Sequence, residues 1–193
     1  MDMQGNRQLA ITQQQAWEAL NDPAVIQSCI PGCDKMEASG ENQYAVALAL
    51  KIGPIAARFT GKISLNDIVV PSSYTIAFDG QGGVAGFGKG TAQIKLLANP
   101  QGCELGYLVH ASVGGKVAQL GQRLIDGAAK SMAEDFFKRF DEAMQKKYPQ
   151  AYAARVAASE TPAPSAASGL PAWIWIAGLI VLGIGFWVLR SFG

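Results

Sequence analysis

The stretch from Leu170 to Leu189, LPAWIWIAGLIVLGIGFWVL, carries no charged side chain. A run of about 20 apolar residues is what a helix rising 1.5 Å per residue needs to cross a hydrocarbon layer of roughly 30 Å. Residues 170–190 are therefore expected to form one transmembrane anchor. Trp173 and Trp175 lie near one end of it and Trp187 near the other, where amphipathic rings prefer the interfaces, and Arg190 follows as a snorkelling charge. The opening residues MDMQGNRQLA lack a basic cluster followed by an apolar run, so no secretory signal is expected. The chain ahead of the anchor is accordingly expected on the cytoplasmic face of the inner (plasma) membrane.

Residues 149–169, PQAYAARVAASETPAPSAASG, hold almost no large aliphatic side chain and mix Pro, Ala and Ser. Such a composition builds no core and is expected to act as a flexible tether, with a span on the order of 25 Å. That leaves residues 1–148 as one domain, long enough to bury a core without staples. The three cysteines, Cys29, Cys33 and Cys103, suit reduced thiols better than a disulfide framework. With 16 basic and 15 acidic residues the net charge is +1, which offers nucleic acid no overall attraction.

Inside that domain the local signals change in a definite order. Met3–Leu9 reads as a strand. Thr12 to Gln15 fits a capping box opening a short helix, and Asp22-Pro23 opens another that Pro31-Gly32 ends. From Cys33 to Val113 the apolar residues alternate, in sets such as Tyr44, Val46, Leu48, Leu50 and Leu105, Tyr107, Val109, between clusters of Gly, Pro and Asn. This predicts an antiparallel meander with one apolar face. Beyond Gly114-Gly115 the period becomes helical, with Val117, Leu120, Leu124, Ala128, Met132, Phe136, Phe140 and Met144 on one stripe. One continuous helix of about thirty residues, roughly 45 Å long, is expected to cover the sheet.

Strand, two helices, meander and long helix together resemble the helix-grip fold of the START/SRPBCC superfamily, an α+β class in which a curved antiparallel sheet wraps a C-terminal helix. Cys29-Ile30-Pro31-Gly32-Cys33, Ile52-Gly53-Pro54, Gly88-Lys89-Gly90, Val113 to Gly121 (VGGKVAQLG) and Phe136-Phe137 resemble the CoxG family of carbon monoxide dehydrogenase accessory proteins. The resemblance implies an accessory, non-enzymatic protein. Such a protein recruits an aerobic molybdenum carbon monoxide dehydrogenase to the membrane and links it to respiratory quinone. It also implies an apolar cavity between sheet and helix. Strand and helix phase put Tyr44, Leu48, Phe59, Phe78, Phe87, Tyr107, Val109, Leu120 and Leu124 on its walls, with menaquinone or ubiquinone as the expected bound ligand.

Other motifs favour plainer readings. The glycine-rich run Gly80–Thr91 contains a G-x-G-x-x-A match and a near miss to a phosphate loop, but a strand pattern follows it where phosphate binding needs a helix N-terminus. A hairpin is expected there. His110 falls on the strand phase opposite Val109, and the cysteines lack partners for a tetrahedral metal site. Arg7 shares phase with inward residues, yet an exposed position on an end strand is the simpler expectation. The inward phases supply no carboxylate pair or nucleophile with its base. No catalytic residue is therefore assigned, and a polyketide-cyclase-like enzyme stands behind a pure docking adaptor as the weaker alternative.

Overall fold

The computed structural model of the chain describes residues 1–160. The first unit, Met1–Arg155, begins with β1 (Asp2–Leu9), α1 (Gln13–Leu20) and α2 (Pro23–Cys29). The meander follows as β2 (Cys33–Gly40), β3 (Gln43–Ile52), β4 (Ile55–Val69), β5 (Ser73–Gln81), β6 (Phe87–Asn99) and β7 (Gly102–Gly114). Last come α3 (Gln122–Lys147) and α4 (Pro149–Glu160). All seven strands form one antiparallel curved sheet in the order β1-β7-β6-β5-β4-β3-β2. Consecutive strands pair as hairpins, and β1 closes on the last strand of the meander.

Local chemistry sets the helix starts. The Gln15 N–H donates to Thr12 Oγ1 at 3.2 Å while the Thr12 N–H donates to Gln15 Oε1 at 3.0 Å, so both members of the capping box are made. At α2 the Ala24 N–H donates to Asp22 Oδ1 at 3.0 Å, and Pro23 occupies the first helical position, where its missing N–H costs nothing. These two short helices carry Trp17, Leu20 and Cys29 onto the inner face of the sheet. There Leu96, Cys103 and Leu105 from β6 and β7 meet Phe140 and Met144 from the end of α3. A second, smaller cluster lies at the far end of the sheet, where Ala85, Val117 and Ile125 pack with Ile52, Phe59 and Val113.

Two expectations are corrected. The stripe from Val117 to Met144 is not one helix: Ala118–Leu120 is a single 3-10 turn, and Gly121, with φ of +86°, lies outside the right-handed helical region. The 26-residue helix α3 starts only after it and is about 39 Å long. The cause lies just upstream, where Gly115 and Gly86 approach so closely that a Cβ on either would overlap the facing backbone. The Val117 N–H then donates to the Ala85 carbonyl at 2.9 Å, which holds this segment as a corner.

The second correction concerns the tether. Its first part, Pro149–Glu160, is helix α4, built on a proline at the N-terminus and an alanine-rich sequence of high helix propensity. Ala151 and Tyr152 pack against the main core, the Tyr152 hydroxyl donates to Asp141 at 2.6 Å, and Arg155 Nη1 donates to the Gln8 carbonyl at 3.4 Å. The second unit, Val156–Gly193, contributes only the end of α4 to the described residues. Among the described residues no helix is long and apolar enough to cross a membrane, and the expected anchor at 170–190 lies outside them.

Candidate ligand cavity

Two apolar spaces lie on the inner face of the sheet, the inner one walled in part by α3. The outer cavity, about 390 Å³, is walled by Leu48, Phe59, Phe78, Phe87, Val109 and Val117. The inner one, about 190 Å³, is walled by Ile26, Met36, Tyr44, Tyr74, Phe136 and Phe137. Ile63 and Ile76 line both, so the two spaces share a wall. The outer volume falls in the range of roughly 300–1,000 Å³ that small-molecule sites occupy.

Cross-strand register creates the outer space. Gly61 on β4 pairs with Gly80 on β5, Gly80 pairs with Gly88 on β6, and the row continues to Val46 on one side and Val113 on the other. All share the phase of Phe59, Phe78 and Ala92, so three adjacent strands present no side chain to the inner face at this level. Two inward rows further along, Ala92 sits between Ile76 and Val109 and trims the middle of that row to a methyl. A Cβ placed on Gly88 meets no atom within 4 Å, and one on Gly80 meets nothing closer than 3.7 Å. Gly61 is different, since a Cβ there would overlap the Asp79 carbonyl and the Gly80 Cα, so close strand approach requires glycine at that position; Gly80 and Gly88 are under no such constraint, and what they leave is room.

The lining is hydrocarbon, with its polar groups gathered at the inner end. Tyr44, Tyr74 and Asn21 border the inner space. Tyr74 is 5% exposed and packs edge-on against Trp17 at 5.4 Å between centroids. Burial pushes its phenol well above the usual tyrosine range, with the neighbouring Tyr44 adding to the shift, so it stays a neutral hydroxyl. Lys62 and Asp79 border the outer cavity and are cross-strand partners, but both are exposed and fall on the outward strand phase.

Of the wall residues expected from sequence, Leu48, Phe59, Phe78, Phe87 and Val109 meet in the outer cavity and Tyr44 stands in the inner one. Tyr107 instead stacks on Phe137. Leu120 and Leu124 lie beside Gly53 at a separate opening with Arg123 and Ala128, and Leu124 is 49% exposed. Strand phase marks Gly61, Gly80 and Gly88 only singly, each continuing an inward set of apolar residues; that they align across three strands is set by register.

The remaining motifs sit elsewhere. Gly80–Thr91 is the β5–β6 hairpin with a 3-10 turn at Gly83–Ala85. His110 faces outward, its Nδ1 2.5 Å from Asp2 Oδ1, and that bond holds the Asp2 carboxyl below its usual range. Cys29 and Cys103 are buried and Cys33 half-buried, and burial raises all three thiols. The Arg7 guanidinium lies 5.4 Å from the Phe137 centroid while the residue remains exposed, so it caps the aromatic stack from the edge of the sheet.

A model of the CoxG family, the G-type subunits of carbon monoxide dehydrogenase, matches residues 5–145. Among solved structures, a conserved protein from Geobacillus kaustophilus is 34% identical and superposes with a TM-score of 0.72, the match covering 76% of this chain and 96% of that one. A protein from Rhizobium leguminosarum, 12% identical, gives 0.60 over 76% of this chain and 95% of its own. One from Thermus thermophilus, also 12% identical, gives 0.55 over 83% and 100%. The last two share the fold alone. No curated protein matches the chain in sequence.

Proposed function

The chain belongs to the CoxG family of carbon monoxide dehydrogenase, within the START/SRPBCC helix-grip superfamily, and on that premise we propose that it is a membrane-held accessory protein of an aerobic molybdenum carbon monoxide dehydrogenase that carries an apolar ligand in its cavity. A quinone, menaquinone or ubiquinone, is the ligand chemistry that fits. Its ring and carbonyls suit the inner space, where the hydroxyls of Tyr44 and Tyr74 and the amide of Asn21 can donate hydrogen bonds. Its hydrocarbon chain suits the outer space, where burial against Leu48, Phe78 and Val109 contributes roughly 25 cal/mol per Å² of apolar surface.

The tail at 170–190 would hold the protein at the plasma membrane with the domain on the cytoplasmic face, and the enzyme would dock on that domain. In this reading the protein transforms nothing: it binds, orients and delivers.

The observation that carries the proposal is the cross-strand pair Gly80–Gly88, because on these two neighbouring strands the inward positions stay empty although a Cβ would meet nothing closer than 3.7 Å, so backbone packing does not require glycine there. Gly88→Leu tests it. The side chain enters open space, so the variant should fold, with stability equal to or up to about 1 kcal/mol above the parent because a strand glycine is lost. Quenching titrations with a short-chain quinone should show affinity reduced at least tenfold. A folded Gly88→Leu protein that binds quinone as the parent does would refute the cavity as the site. Absence of any quinone binding by the parent would leave the docking-adaptor reading instead.

A further inference from the structure

The end of the domain at which the outer cavity lies carries one of two groups of exposed apolar side chains among the described residues, and the single most exposed of them, Val84. Val84, at the tip of the β5–β6 hairpin, is 84% exposed, Phe87 at the cavity wall 37%, and Leu124 on the first turn of α3 49%. They belong to adjoining segments, since Val117 bonds to Ala85 and Ile125 packs on both. Exposed positions of the neighbouring segments carry Lys51, Lys89, Lys116 and Arg123, against Asp79 and Asp126. The chain as a whole is almost neutral, at 16 basic and 15 acidic residues, so this end is locally cationic.

We infer that this end, with Val84, Phe87 and Leu124 inserted and the lysines and Arg123 around them, docks on an anionic lipid surface and sets the cavity mouth against the bilayer. Apolar side chains ringed by basic ones are what an interfacial anchor presents to acidic headgroups. Reach permits it. Residues 161–169 can span up to about 30 Å when extended, comparable with the roughly 33 Å of strand from Phe87 to Leu97. A domain hung on an anchor at Leu170 can therefore lay either end on the membrane.

A second exposed apolar group, Ile68, Val69 and Val70 with Leu97, lies at the opposite end of the sheet and serves as an internal control. Its charged neighbours are Asp67, Glu104 and Lys95, with no basic excess. The inference rests on the proposed membrane attachment but goes beyond it, by assigning which face meets lipid.

The test is hydrogen–deuterium exchange on the full-length chain reconstituted in vesicles of phosphatidylcholine, with or without a quarter of phosphatidylglycerol. With phosphatidylglycerol, segments 82–90 and 118–126 should exchange several-fold more slowly than in phosphatidylcholine alone, and segment 66–72 should not change. The double variant Val84→Glu/Leu124→Glu should lose that protection while its core amides exchange as before. Protection of 66–72 instead, protection of neither end, or protection of 82–90 that appears only on adding the dehydrogenase would overturn the inference. The vesicles contain no quinone, so failure here leaves the ligand reading standing, and failure of quinone binding leaves this docking result standing.

Discussion

Tyr107 on β7 stacks on Phe137 of α3, with ring centroids 5.5 Å apart and planes 30° from parallel. Phe137 in turn meets Phe136 edge-on at 5.3 Å, and Phe136 stacks on Phe140 at 6.0 Å. This aromatic ladder fastens α3 to the sheet and also walls the inner cavity, because Phe136 and Phe137 line it. Tyr107, expected on a ligand-facing wall, is occupied by that packing.

Phe137→Ala should therefore act on stability and capacity together. Removing a partly buried ring from the stack should cost about 2–3 kcal/mol, less than the roughly 3–5 kcal/mol of a fully buried phenylalanine because part of the ring is already exposed. It should also enlarge the inner cavity. Urea denaturation measures the first effect, and titration with quinones of increasing ring size measures the second. Loss of stability with no change in ring selectivity would detach the ladder from the cavity.

Val109→Asp should abolish quinone binding, because an unpaired carboxylate facing hydrocarbon costs several kcal/mol or is driven to its neutral form. Ser112→Asp is the control: it lies on the opposite phase of the same strand, exposed, and pairs with Lys89. It should leave affinity nearly unchanged. Equal losses from both, with circular dichroism unaltered, would contradict the assignment of the cavity wall.

Helix α4 should behave as part of the domain. Tyr152→Ala removes a ring packed on the core and its bond to Asp141, and should cost about 1–2 kcal/mol in thermal denaturation. Truncation from Leu170 onward should move the protein from membrane to soluble fraction with no such loss. A Tyr152→Ala protein as stable as the parent would return α4 to the tether.

Alkaline stability should carry the signature of Tyr74. Its folded-state pKa lies above the ordinary tyrosine value of 10.0. Above that value the unfolded chain releases a proton that the folded one retains. The contribution is thus fully present below pH 10 and lost as pH rises, at up to about 1.4 kcal/mol per pH unit. Tyr74→Phe should flatten that decline, leaving the part due to Tyr152, whose pKa burial and Asp141 also raise. An unchanged alkaline slope in Tyr74→Phe would show that this hydroxyl is not desolvated.

Features set by neighbours along the chain are legible in residue order. Thr12 with Gln15, and Asp22 with Pro23, start helices because a cap needs only residues two or three positions away. Tyr44, Leu48, Phe78 and Val109 face inward because alternation is a property of one strand. The charge-free stretch at 170–189 sets an expectation from composition alone.

Other features exist only through which strand lies beside which, and at what register, and no single segment encodes them. Gly61, Gly80 and Gly88 become one row without side chains only when β4, β5 and β6 pair with those partners, and the same pairing crowds Gly61 while leaving Gly80 and Gly88 open. Tyr107 is diverted by a ring thirty residues downstream, and the helix expected from Val117 breaks at Gly121 because Gly86 and Gly115 bring two segments into backbone contact. Residues 149–160 read as a tether because their own side chains build no core. Residues 149–155 are tied to the domain because α3 and β1 supply the surfaces that Tyr152 and Arg155 meet.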